Sequence, residues 1–550
     1  MPGPLNGTAP GTTADDLPRS WREALPGTSR RGFLAAVGAG SLAALLAACA
    51  PGDTKTGSSK PTGPAKRGGT LRVGTPPPPT SVDPVTAYDG SAVALIQLVA
   101  DYLVWLDKDF GLQPRLATKW KSDKDAKKWT FTLREGVTFS DGAPLDAETV
   151  KASFDRLLDP KNKSAALSAF GDILAEGGVT APDSSTVVFT LKRPYVDFPY
   201  LVSAGNYNTV ILKKRYKGDF TKPHSAIGTG PFVLTSYDAS KGASFVRNKR
   251  YWNKGKPYLD GVEVTFYRDE QADVAALQSG DIDTQFLSKA QLVKPLSGSG
   301  DVVVDEVKST NLTLFTLRTD QAPFDKKEVR QAVAYALDRS ALRKGIGSDI
   351  GQLGNDHLFA PAYPTAPEDI PQRAQDKKKV KDLLKKAGVK HLRFTLTFDE
   401  PGKDYAVAVQ SQLKESGITV DLDQQPSGKF YGGDQKKDTP WLFAAATLVG
   451  YAGRPVPSQL VAPLVTSDAI WNGAKYSNPK VDKAAKAYDA TKDEKERAAQ
   501  ARIIAEALHE DVPVIVSYWG GAVRAYNSTR FTGIEAHPSQ FVDFSGVSKA

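Results

Sequence analysis

The feature that most limits how this chain can be built is its cysteine content: one residue, Cys49, in 550. A single thiol closes no disulfide and completes no cysteine-based zinc site, so a body this long must be held by hydrophobic cores. Five His leave little material for a multi-histidine metal site. At this length one core stops growing, and two or three domains are expected. Apolar residues at 40% and charged residues at 24% are ordinary for globular chains and exclude wholesale disorder or a fibrous fold.

The position of the cysteine explains it. A polar segment ends at Ser29-Arg30-Arg31-Gly32-Phe33-Leu34, an uncharged stretch fills 32–48, and Leu46-Ala47-Ala48-Cys49 follows. Charged, apolar and small residues in that order form an export signal. Its 17 apolar-stretch residues, diluted by Gly and Ala, fall short of the roughly 20 strongly apolar residues of a membrane span. Arg30 and Arg31, with Phe33 and Leu34, resemble a twin-arginine signal. Leu46-Ala47-Ala48-Cys49 resembles a bacterial lipobox, whose thiol is acylated while the chain is cut just before it. Residues 1–48 are therefore expected to be a removed signal, and Cys49 a lipid attachment point on the outer face of the bacterial cytoplasmic membrane. Residues 50–67, rich in Gly, Ser, Pro and Thr, read as a flexible linker spanning about 20–25 Å.

Lys and Arg outnumber Asp and Glu by 71 to 62, a formal charge of +9. Four Arg against three acids in 1–48, and three Lys plus one Arg against one acid in 50–67, leave +5 for the body. The run Lys377 to Lys386 (KKKVKDLLKK) carries Val380, Leu383 and Leu384 at helical spacing and reads as the solvated face of an amphipathic helix. No nucleic-acid motif accompanies it, and no nucleic-acid partner is expected.

From Gly68 short strands alternate with helices, the pattern of an α/β fold. Residues 91–106 read as one buried helix, 129–133 and 137–139 as a hairpin, and Asp146 as an N-cap. A strand at 262–267, a helix at 269–279 ended by Gly280, and a strand at 282–286 form a βαβ unit. Further helices are expected at 326–344, 404–416 and 481–508, and strands at 186–191, 311–317, 391–398, 418–422 and 512–518. Motifs of chemistry are missing. There is no nucleophile elbow, Gly255-Lys256 is followed by Pro257, and His509-Glu510 has Pro513 where a zinc-hydrolase motif needs its second histidine. No catalytic residue, cofactor or metal is expected.

Several segments together resemble the extracytoplasmic solute-binding proteins of ABC importers, family 5, with its dipeptide-, oligopeptide- and nickel-binding members. Gly68-Gly69-Thr70-Leu71-Arg72-Val73 and Ser81-Val82-Asp83-Pro84 match its opening. WTFTLREGVTFSDGAPLDAETVKASFDRLLD (129–159) matches its most recognisable stretch. Gly228-Thr229-Gly230-Pro231-Phe232 leading to Arg247-Asn248-Lys249-Arg250-Tyr251-Trp252 is a second. Ala322-Pro323-Phe324-Asp325 through Ala336-Leu337-Asp338-Arg339 is a third, and Tyr476-Ser477-Asn478-Pro479-Lys480-Val481-Asp482 a fourth.

The resemblance implies a two-lobed periplasmic-binding-protein clamp, type II-like, of mixed sheets flanked by helices, with an additional α+β domain inserted in lobe I. Lobe I would take 68–104, 213–308 and 513–550, the extra domain 105–212, and lobe III 309–512. The hinge crossings would fall near 308–311 and 511–514. It implies a receptor, expected as a monomer and not an enzyme, that captures a peptide-like or other small organic solute, anionic or sugar-like ligands included. The closed form would deliver that solute to ABC permease subunits in the membrane.

In peptide-binding relatives an acid in a Gly-Asp-x-x-x-Pro-like stretch anchors the peptide ammonium. Gly450-Tyr451-Ala452-Gly453-Arg454-Pro455 puts Tyr451 at that place and adds a cation. Arg454 can fork onto a carboxylate or phosphate, and Tyr451 and Trp441 can stack on a ligand. Tyr88 and Asp89, after the first strand, and Asn311 and Trp519, beside the hinge, are further cleft candidates; Asp89 would replace the missing acid. An exported hydrolase with a cryptic carboxylate pair, or a signalling or adhesion lipoprotein on the same fold, are the alternatives.

Overall fold

The computed structural model describes residues 64–550 apart from 80, 165, 219, 223, 224, 299, 435 and 436. The expectations for Arg30, Arg31 and Cys49 lie outside the described residues. Among the described residues no helix is long and apolar enough to cross a membrane.

The βαβ unit forms as its sequence requires. The Asp269 side chain accepts from Gln271 N and Ala272 N to cap the helix Glu270–Ser279, and Gly280 ends it at φ 77°, a left-handed conformation that glycine adopts without strain. The strands Gly261–Phe266 and Thr284–Gln285 both run parallel to Thr70–Thr75, one on each side of it. The order across the large sheet is 419–425, 393–399, 446–451, 302–317, 514–527, 284–285, 70–75, 261–266, 242–247 and 232–238, with 352–353 pairing to 514–527 as the eleventh strand.

Two long antiparallel strands, Val302–Leu317 and Val514–Asn527, carry this sheet through its middle. Val302 to Lys308 pair with Asn527 back to Gly521, and Leu312 to Thr316 with Trp519 back to Val514; the register shifts between Lys308 and Leu312. The first expected crossing thus coincides with an irregularity at 309–311. Its counterpart in the partner strand falls at Trp519–Gly521, and a second register shift lies between Leu312 and Leu314, opposite 516–519. A Cβ on Gly520 would sit 1.9 Å from Asn311 Oδ1, and one on Gly521 2.2 Å from Ile350 Cγ2, so only glycine lets the strands approach here.

A separate four-stranded antiparallel sheet runs 117–122, 128–133, 186–191, 174–183. The helix Ala147–Leu158, capped by Asp146 and burying Val150, Phe154 and Leu157, packs on it. Phe189 meets Phe154 at 4.9 Å and Phe131 at 5.4 Å between ring centroids, both edge-on, which closes this core with aromatic area. The expected hairpin does not form. Lys128–Leu133 pairs with 117–122 and 186–191, while Val137 and Phe139 bond to Leu145 and Ala143.

Three expected helices are interrupted. The first ends at Val99 and gives way to the strand Val104–Leu106. The second divides into Lys327–Tyr335 and Arg339–Gly345, because Asp338 caps a new start by accepting from Ala341 N. The third divides into Pro479–Ala490 and Glu494–Asp511, where Asp493 caps the second piece. In the second and third a short polar side chain, Asp338 or Asp493, takes backbone donors and out-votes the apolar periodicity around it.

The apolar interior falls into distinct clusters. The largest draws on residues 71–286 and 531–547. Two others, drawn from 312–519, lie against the other end of the large sheet.

Candidate functional site

Arg454 follows the strand Ala446–Tyr451 in a loop stiffened by Pro455 and Pro457. The loop is fastened at the jog of the long strands, since the Arg454 carbonyl accepts from Thr310 Oγ1 and from Tyr363 OH, each at 2.7 Å. The backbone being held, the half-buried side chain lines a cavity of about 470 Å³. One wall comes from Arg193, Tyr195 and the turn Asn206-Tyr207-Asn208; the facing wall comes from the helices Ser458–Val465 and Pro479–Ala490 and from Trp471.

Two donors in this cavity lack protein acceptors. No ion pair among the described residues includes Arg454, and Asn206 Nδ2, on a side chain only 8% exposed, has no hydrogen-bond partner. A buried amide donor without a partner costs roughly 1–3 kcal/mol, and the part-exposed Arg454 guanidinium in the same cavity lining has room for an acceptor from outside the chain.

Tyr207 locates Asp89. Burial raises the Tyr207 phenol, with the Arg454 cation pulling it down and the Asp89 carboxylate pushing it up. Both charges therefore act on one side chain. The loop holding Asp89 is tied to the same turn, because Asn208 Nδ2 donates to the carbonyls of Pro84 and Ala87, each at 2.9 Å. Asp89 also caps the helix Gly90–Val99 through Ala92 N at 2.8 Å, and Tyr88 beside it is 63% exposed. Tyr451 and Trp441 come together in a small apolar cluster with Trp471; burial and Tyr431 push the Tyr451 phenol far up, against Arg454.

Asn311 and Trp519 belong to the fold. Asn311 Nδ2 donates to Gly521 O at 3.3 Å and ties the long strands at their jog. Trp519, expected at the cleft, is 0% exposed inside an apolar cluster, edge-on to Tyr363 at 6.3 Å; its indole area goes to the core.

The cavity includes residues that the sequence reading missed. Asn206, Tyr207 and Arg193 lie in turns without periodicity, and Asp489 looks like an ordinary polar position of an amphipathic helix. The only available signal was the polar and aromatic triplet Asn206-Tyr207-Asn208 between apolar segments. Among the described residues no cluster of three His, Cys, Asp or Glu is placed to hold a metal ion.

Comparison with known proteins defines the class. The model for bacterial extracellular solute-binding proteins, family 5 Middle, matches residues 111–470. Protein XP55 of Streptomyces lividans is 30% identical over 492 residues, covering 83% of this chain and 85% of that protein. The dipeptide-binding protein DppE of Bacillus subtilis (strain 168) is 28% identical over 504 residues, covering 86% and 90%. The solved structure of DppA from Helicobacter pylori in complex with the peptide STSA superposes with a TM-score of 0.74 at 24% identity, over 88% of this chain and 98% of that one.

The fold is therefore that of a periplasmic binding protein, an α/β clamp of two lobes with an additional α+β domain. The chain belongs to the bacterial extracellular solute-binding proteins, family 5. It is a binding protein of the ABC-importer type and not an enzyme, which removes the hydrolase reading.

Proposed function

We propose that this chain is the lipid-anchored receptor of an ABC importer and that it captures a small carboxylate-bearing organic solute of peptide-like character. The observation that carries the ligand assignment is the Arg454 guanidinium, without an ion pair among the described residues, in a cavity that Asn206 also lines. A guanidinium and an amide donor together suit a carboxylate. Tyr451, where peptide-binding relatives carry an acid, fits a ligand held by Arg454 rather than by the usual ammonium anchor.

Lobe I is taken as 68–104, 213–308 and 513–550, the extra domain as 105–212, and lobe III as 309–512. The hinge then lies in the two long strands at 309–311 and 519–521. A solute closes such a clamp only by its greater affinity for the closed form; turning a population from 1:99 to 99:1 takes about 5.5 kcal/mol of differential binding. Closure presents the loaded form to the permease, and no bond in the solute needs to change.

The test is calorimetry with the solute that co-purifies with the protein, identified by mass spectrometry. Arg454→Ala is expected to weaken it by about 1.5–3 kcal/mol, the worth of a hydrogen bond to a charged group. Unchanged affinity refutes the carboxylate assignment.

A further inference from the structure

A second recognition point lies beside Tyr451. Asp399 ends the strand Arg393–Asp399, whose neighbour is Ala446–Tyr451, with Phe398 facing Leu448 in parallel register. Its carboxyl is only 6% exposed, yet no ion pair among the described residues includes it. It is held by neutral donors, Ser427 Oγ at 3.2 Å, the phenol of Tyr431 and its own backbone N–H. Burial raises its pKa, and Glu400 adds to the local negative charge.

A buried carboxylate without a cation is costly, and the buried acids Asp283 and Asp356 have arginine partners. Tyr431, which bonds this carboxyl, is itself 40% exposed. It stands 5.9 Å from the ring of Trp441, whose Nε1 has no hydrogen-bond partner, and Trp441 stands 6.3 Å from Trp471. An acid beside aromatic faces is the arrangement that holds organic cations.

We propose that Asp399, with the rings of Tyr431 and Trp441, is a subsite for an ammonium or guanidinium group of the solute, so that the natural ligand carries a basic side chain. The buried Tyr451 phenol feels both Tyr431 and Arg454. The purpose of the subsite rests on the receptor reading, but its existence is tested without the natural solute.

The probe is ethylguanidinium, titrated into the purified protein and followed by tryptophan fluorescence and by the indole N–H resonance of Trp441, with tert-butanol as the neutral control. Saturable binding in the millimolar range is expected for the cation and none for the alcohol. Asp399→Asn is expected to weaken the cation at least about tenfold, and Tyr431→Ala, at a part-exposed position that tolerates truncation, to weaken it as well. Arg454→Ala is expected to leave it unchanged, so failure of the carboxylate site and failure of this one are separate results. Absence of saturation, equal binding of the alcohol, or unaltered affinity in both Asp399→Asn and Tyr431→Ala overturns the assignment.

Discussion

Asp356 shows how one residue governs a region. It is wholly buried at φ 56° and accepts from Arg339 Nη2 on both oxygens and from Arg373 Nε, each at 2.7 Å. Burial alone raises its pKa, but the two guanidinium groups overcome that and hold it below the ordinary 3.8. A depressed carboxylate contributes stability that is present above its unfolded pKa and lost as pH falls through the folded one. Asp356→Asn leaves two cations facing no charge and is expected to cost about 3–5 kcal/mol in denaturant unfolding; a loss under 1 kcal/mol counts against the triad as a structural element. Asp338-Arg339 was legible as a family motif. That Arg373, with no motif of its own, completes the triad depends on the loop fold and has no local signature.

At the scale of elements, the helix Pro479–Ala490 and the segment 193–197 are joined by buried charges. Arg193 Nη1 donates to Asp489 Oδ2 at 2.7 Å, Arg497 is bidentate on Asp197, and Tyr195 OH, Ser458 Oγ and Asp197 Oδ2 form a chain. Burial raises the Asp489 pKa to about 7, with Arg193 opposing. A raised carboxyl binds its proton more tightly folded than unfolded, so the folded state gains stability as pH falls from about 7 toward 4 and loses it as pH rises through that window. Asp489→Asn is expected to flatten that part of a Tm-against-pH curve relative to the parent. An unchanged slope would place the titration elsewhere. The helix was legible from its period, whereas the raised acid follows from the extra domain packing over it, which no helical wheel contains.

On the scale of the whole molecule, the proposed signal and lipid anchor can be tested apart from the clamp. Cys49→Ser is expected to move the protein from the membrane to the soluble fraction and to abolish labelling by a radioactive fatty acid; continued labelling refutes the lipobox reading. Arg30→Lys with Arg31→Lys is expected to block export measured by fractionation, and normal export would mean that the twin-arginine route is not used.

The sequence by itself determined the class of this protein. Its alternating elements, its caps at Asp146 and Asp269, and four ordered motifs are local patterns that any neighbourhood of the chain preserves, and they sufficed for the family. The tertiary structure alone decided where the long strands change register, that Trp519 belongs to the core, and that Asn206 and Arg454 share a cavity. The reason is physical. A period or a cap is set by neighbours a few residues apart, while burial, an unpartnered donor or a raised carboxyl is set by groups hundreds of residues away, brought in by the packing of all the elements at once.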